Sequence, residues 1–180
     1  QKQKGTDLVV AANAVVQPMG LYSNKIHSLD DIKADTKIAI PNDPSNGGRA
    51  LVLLEKAGII KLKPDYKGEA SIHDVAENPR GVKLVELEAA QLPISLQDLD
   101  VACVPMNYAV SGGLDVNKQG FYFESRDAKY ALIIIAARPD NVQSPEVQTF
   151  VKCYQSPEVA AFIKEKFKGQ INPAWEQPAK

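Results

Sequence analysis

The chain has 180 residues, 44% of them apolar, and 21 Lys and Arg stand against 22 Asp and Glu for a net charge of −1. That apolar content can build a core, and the length allows one domain or two small lobes. Near-cancelling charge excludes the electrostatic footprint of a nucleic-acid binder or of a protein held to an anionic membrane surface, so small molecules or proteins are the expected partners.

Residues 1 to 6 are polar and read as a frayed end. Leu8 to Val16 is rich in Val and Ala and only weakly alternating, which predicts a strand buried on both faces. Ser28 caps a short helical turn, with Asp30 and Asp31 well placed near its positive end. Lys37 to Ile40 predicts a buried strand stopped by Pro41, whose missing N–H cannot continue a ladder. Asn42 to Gly48 is dense in turn formers and reads as a loop. In it Ser45 or Asp43 can cap the next helix, and the glycines let another group approach the backbone. Arg49 is expected in that helix's first turn. Ala50, Leu53, Leu54 and Ala57 recur at helical spacing as a core face, and Gly58 ends the helix.

Ile59 to Lys63 reads as a short extended piece and Tyr66 to Ala70 as a loop. Ser71 caps a predicted helix, Ile72 to Glu77, stopped by Asn78-Pro79. Val82 to Leu87 predicts a strand, Ser95 to Leu99 a short helix and Val101 to Val104 another strand. Asn107 to Val110 begins a helical segment that Gly112-Gly113 stop. Strands at 37, 82 and 101 separated by helical segments form the βαβ pattern of a small open α/β lobe. Ligands of such sheets bind outside the carboxyl ends of the strands, where Arg49 and Asn107 both fall.

Phe121 to Phe123 and Tyr130 to Ala137 read as strands; the latter is the longest apolar run and falls short of the roughly 20 residues of a membrane span. Ser144-Pro145-Glu146-Val147 and Ser156-Pro157-Glu158-Val159 are two copies of one helix start: Ser as N-cap, Pro at the first position, Glu in the first turn. Val147, Phe150, Val151 and Tyr154 follow the first as a packing stripe, and Val159, Phe162, Ile163 and Phe167 follow the second. The tail from Gly169 reads as irregular. Cys103 and Cys153 lie in apolar surroundings and read as buried free thiols.

Catalytic signatures are thin: no phosphate loop, no G-x-S-x-G elbow, no H-E-x-x-H and no pair of CxxC motifs. His27 and His73 read as solvated, and Glu86 and Glu88 share a strand face without a nucleophile or metal companion. Non-enzymatic binding is expected, without metal or cofactor. A helix N-terminus beside Arg49 suits a carboxylate or another small anion. The alternative is that Arg49 pairs with a nearby Asp or Glu.

The run Asn42-Asp43-Pro44-Ser45-Asn46-Gly47-Gly48-Arg49-Ala50-Leu51 resembles the NDPTN-x-GRAL signature of the NlpA/MetQ family, the methionine-binding proteins of bacterial ABC importers. Gln17-Pro18-Met19-Gly20-Leu21-Tyr22-Ser23 resembles that family's PMGLYS stretch. Glu77-Asn78-Pro79, Leu87 to Pro93 and Gln155 to Val159 follow in the family's order. The resemblance implies an α/β, two-lobed periplasmic-binding-protein-like (type II) fold: residues 1–25 with 126–180 as the first lobe, and 36–125 as the second. It implies an amino-acid-like or peptide ligand between the lobes, with Arg49 on its carboxylate. Asn107 and Tyr130 would line the cleft, and Asn13, Val15 and Gln17 would face it from the first lobe. It implies an ABC permease as partner and a lipid-anchored place in the periplasm or on the outer face of the cytoplasmic membrane. The two Asn that complete the family's methionine pocket are replaced here by Pro105 and Leu132, and Val15 stands where an aromatic residue or His is usual.

The family's signal peptide, anchor Cys and two further βα units upstream of the match to Gly5 are not in this chain, so the expectation is a mature or trimmed form with an incomplete first lobe. The strands at 8–16 and 130–137 would then expose apolar edges, and a second copy of the chain is expected to cover them. A non-transporting interaction module derived from a binding protein is the alternative function.

Overall fold

A computed structural model of the chain describes residues 7–125, 128 and 130–176. The chain runs β1 (Val9–Val16), β2 (Met19–Tyr22), a 3-10 turn at Leu29–Asp31, β3 (Lys37–Pro41), α1 (Pro44–Lys56), β4 (Lys61–Leu62), a 3-10 turn at Ile72–Asp74 and β5 (Val75–Glu77). It continues through β6 (Lys83–Leu87), a 3-10 turn at Ala89–Gln91, α2 (Leu92–Ser95), β7 (Val101–Pro105), α3 (Met106–Ser111), α4 (Val116–Gln119) and β8 (Gly120–Phe123). It ends with β9 (Leu132–Ala137), α5 (Pro145–Tyr154), α6 (Pro157–Phe167) and β10 (Asn172–Pro173). Two compact units result, Gln1–Gln17 with Arg126–Lys180 and Pro18–Ser125. Residues 18–25, expected in the first lobe, belong to the second unit because β2 is a strand of its sheet.

The second unit is built on a five-stranded sheet in the order β6-β3-β7-β2-β8. β3 lies parallel to β6 and β7, and β2 antiparallel to β7 and β8. β7 and β2 are buried at every position, as is β3 after Lys37, which is why they read as apolar runs with no alternation. The core joins Met19, Leu21, Ile38, Ile40, Val101 and Cys103 of the strands to Ala50, Leu53, Leu54 and Ala57 of α1. Gly58, expected to end the helix, follows it with φ +67°, in the left-handed region that glycine adopts without strain.

Several local readings need correction. The strand runs through Pro41, which sits opposite Leu87 while the next residue, Asn42, supplies the N–H to the Leu87 carbonyl at 2.8 Å. α1 begins at Pro44, capped by Asp43, whose carboxylate accepts the Asn46 N–H at 2.9 Å. Gly47 and Gly48 therefore lie inside the helix, and Arg49 in its second turn. The glycines still serve close approach: a Cβ on Gly47 would stand 2.7 Å from the Pro41 carbonyl oxygen, and one on Gly48 3.0 Å from the Ala70 backbone. Ile72–Glu77 is a single 3-10 turn that passes into a strand, because β5 finds β4 as a partner. The helix placed at 95–99 lies earlier, at Leu92–Ser95, with Pro93 in its first turn.

In the first unit β1 is the middle strand of a three-stranded sheet, order β10-β1-β9, antiparallel to both neighbours. The tail expected to be irregular thus contributes β10, and Ala174 N–H donates to the Ala14 carbonyl at 3.1 Å. Both helix starts are as read: Ser144 and Ser156 accept the N–H of Val147 and Val159. Only Ala14–Val16 of β1 are buried; Val9, Val10 and Asn13 and most of β9 are exposed, as are Phe150 and Phe162 of the expected packing stripes. Cys103 is buried, but Cys153 is exposed, on a helix α5 that has no buried residue; both thiols are free.

Candidate functional site

The carboxyl edge of the five-stranded sheet gathers the second unit's candidate residues. β3 leads at that edge into α1 and Arg49, and the parallel β7 leads there into α3 and Asn107. β2, antiparallel to β7, starts at the same edge with Met19 opposite Pro105. β8, antiparallel to β2, ends there, and Glu124 is the next residue.

Arg49 and Glu124 form a buried ion pair, with side chains only 8% and 6% exposed. Arg49 Nε donates to Glu124 Oε2 at 3.0 Å and Oε1 at 3.2 Å, and Nη2 donates to Oε2 as well. Glu124 Oε2 also accepts the Met19 N–H at 3.1 Å. A carboxylate that takes two guanidinium nitrogens and a backbone donor, the last on the oxygen that both nitrogens share, is a strong form of such a pair. Removing one member would strand a buried charge at a cost of about 3–5 kcal/mol. Of the two alternatives open for Arg49 in the sequence, pairing with an acid is what the second unit contains. A guanidinium carries five N–H donors in a rigid plane, and the ones turned to Glu124 are those on Nε and Nη2.

Asn107 is exposed in the first turn of α3. That turn is steadied by Tyr22 of β2, whose hydroxyl donates to Met106 Sδ at 3.7 Å and whose burial pushes its pKa well above the usual phenol value. The other expected residues lie in the first unit. Asn13 is exposed on β1, and its carbonyl accepts Gln155 Nε2 at 2.8 Å. Gln17 is half-buried, and its N–H donates to the Ala131 carbonyl at 2.7 Å, which brings it beside the exposed Tyr130. Val15, expected to face a cleft, is buried with Pro173 of β10 as its register partner.

Glu124 was not legible as a site residue. Its partner is 75 positions away, and no local motif marks it; the one available signal is an acid directly after an aromatic strand. A separate cavity of about 170 Å³ at the start of α1 is lined by Asn42, Asp43, Gly47, Gly48, Glu69 and Glu86 among others, and Arg49, Asn107, Asn13, Gln17 and Tyr130 are not in its lining. Among the described residues no cluster of His, Cys, Asp and Glu is placed to hold a metal ion. No described helix is long and apolar enough to cross a membrane.

Comparison with known proteins gives this geometry a context. The chain is 42% identical over 176 residues to the D-methionine-binding lipoprotein MetQ of Escherichia coli K12, a match covering 97% of this chain and 65% of that protein. A nutrient binding protein from Burkholderia cenocepacia, solved bound to methionine, superposes with a TM-score of 0.88 at 44% identity, over 96% of this chain and 73% of that one. Lipoprotein Tp32 from Treponema pallidum gives 0.86 at 34% identity, over 96% and 72%. The chain spans about 65% of the length of the first of the curated relatives it matches. The model of the NlpA lipoprotein family matches residues 1–175, and with the ordered motifs and the α/β fold this shows that the chain belongs to that family.

Proposed function

We propose that the protein is a substrate-binding protein of an ABC importer and takes a small amino-acid-like ligand, methionine first among them. The observation that carries this reading is the placement of Arg49 at the carboxyl edge of an open α/β sheet, within a family whose relatives include a methionine-bound structure. Arg49 holds the ligand's carboxylate. Asn107, and in the first unit Asn13, Gln17 and Tyr130, are its further contacts. Pro105 and Leu132 stand where other members offer Asn, so the contacts to the ammonium group differ from the family's. The partner is an ABC permease, the location the periplasm or outer face of the cytoplasmic membrane through a lipid anchor, and the role is binding without catalysis. Native mass spectrometry of the purified protein tests this. A small adduct that Arg49→Ala abolishes is expected; equal loading of the variant contradicts it.

A second reading, a protein-interaction module, is favoured by one observation: the exposed apolar surface of the first unit, with Val10 59% exposed, Ile134 41% and Phe162 59%. Among the described residues β9 is also an edge strand, with backbone groups able to template pairing. On this reading two copies associate through that surface. Light scattering at micromolar concentration should then give a dimer that Ile134→Lys dissociates, and a monodisperse monomer contradicts it.

A further inference from the structure

We propose that Glu124 is the positioning residue that sets Arg49 for the ligand's carboxylate; the proposal rests on the binding role given to Arg49 above. A guanidinium recognises a carboxylate by geometry as much as by charge, through a planar fork whose orientation must match. On a long side chain that plane turns freely unless something holds it. Glu124 holds it along the Nε and Nη2 side, with Nε at 3.0 and 3.2 Å from the two carboxylate oxygens. In a rigid plane, fixing one side fixes the direction of the other.

Glu124 is itself fixed. Its N–H donates to the Met19 carbonyl at 2.9 Å, and its Oε2 accepts the Met19 N–H at 3.1 Å. The preceding residue, Phe123, lies with its ring over Gly20, where a Cβ would stand 2.7 Å from Cδ1 and Cε1, and meets Tyr22 edge-on at 5.8 Å between centroids. Strand β2, buried at every position, is thus the anchor through which Glu124 orients Arg49. The two charges also offset each other, so Arg49 is kept in a buried place without a ligand present.

Isothermal titration with two probes separates positioning from general support: L-methionine, and L-methioninol, which has the same side chain and amine but no carboxylate. The wild-type protein should prefer methionine. Glu124→Gln should weaken methionine on the order of 10- to 100-fold and leave methioninol within about threefold, so the preference collapses. Parallel losses for both probes, or no change in either, overturn the proposal. Should Glu124→Gln fail to fold by circular dichroism, Glu124→Asp carries the test, because it keeps the charge and withdraws the carboxylate by one methylene; the same collapse is expected. Arg49→Met separates the two claims. If that variant retains methionine binding, or the wild type has none, the reading of Arg49 fails. If Arg49→Met loses binding while the Glu124 variants keep the preference, only the positioning role fails.

Discussion

Met19 and Glu124 are joined twice: the Glu124 N–H donates to the Met19 carbonyl at 2.9 Å, and the Met19 N–H donates to Glu124 Oε2 at 3.1 Å. The first bond belongs to the backbone pairing of β2 with the end of β8. The second turns a side-chain carboxylate back over the same strand and presents it to Arg49 on α1. Three segments far apart in sequence are in this way held at one sheet edge.

The closeness of Phe123 to Gly20 gives a stability prediction. Gly20→Ala places a methyl 2.7 Å from the ring, which must shift against Tyr22, and overpacking of this kind costs about 1–3 kcal/mol. In a Phe123→Ala background the same change should cost less, because the two 2.7 Å contacts are gone and only the Tyr22 ring, at 3.0 Å, still has to give. Urea unfolding of the four proteins checks this; equal costs in both backgrounds would refute the packing account.

Acid sensitivity follows from two small capping boxes. The Ser71 hydroxyl, then the Ser71 N–H, hold the Asp74 carboxyl below the usual carboxylate range; the Ser28 hydroxyl does the same for Asp31, with smaller help from backbone donors. A pKa lowered by folding contributes stability that is full above the unfolded value of about 3.9 and lost as pH falls through the folded value. Thermal midpoints should therefore hold down to about pH 5 and decline below about pH 4. Ser71→Ala should move the Asp74 carbon-13 titration midpoint upward; an unmoved midpoint would contradict the assignment.

The thiols should separate by accessibility. Cys103 is sealed in β7, and burial pushes its pKa far up, whereas Cys153 is exposed on α5. A thiol reagent at pH 8 should modify Cys153 alone in the native protein, and Cys103 as well only after denaturation. Rapid native labelling of Cys103 would contradict the buried strand.

What was legible in the sequence was what local chemistry determines. The repeated Ser-Pro-Glu-Val starts of α5 and α6, the core face of α1 and the stop at Gly58 all follow from neighbours a few residues away. β2 was not read as a strand, because Pro18 and Gly20 look like breakers and its four residues, buried on both faces, show no alternation. The glycines after Asp43-Pro44 read as a loop, although an Asp cap followed by Pro at the first position starts a helix, and close packing to Pro41 and Ala70 explains why glycine is there. Arg49 could be singled out from its motif and its place after β3. Glu124 could not, since its role depends on β8 returning to the sheet edge where α1 begins.

The central claim is that Arg49, held by Glu124, receives the ligand's carboxylate, and a crystal structure of the protein grown with methionine tests it most directly. The methionine carboxylate should stand about 2.7–3.0 Å from Arg49 donors, with the Arg49–Glu124 pair still made. Methionine bound with its carboxylate away from Arg49, or an Arg49 that leaves Glu124 to reach it, would contradict the account.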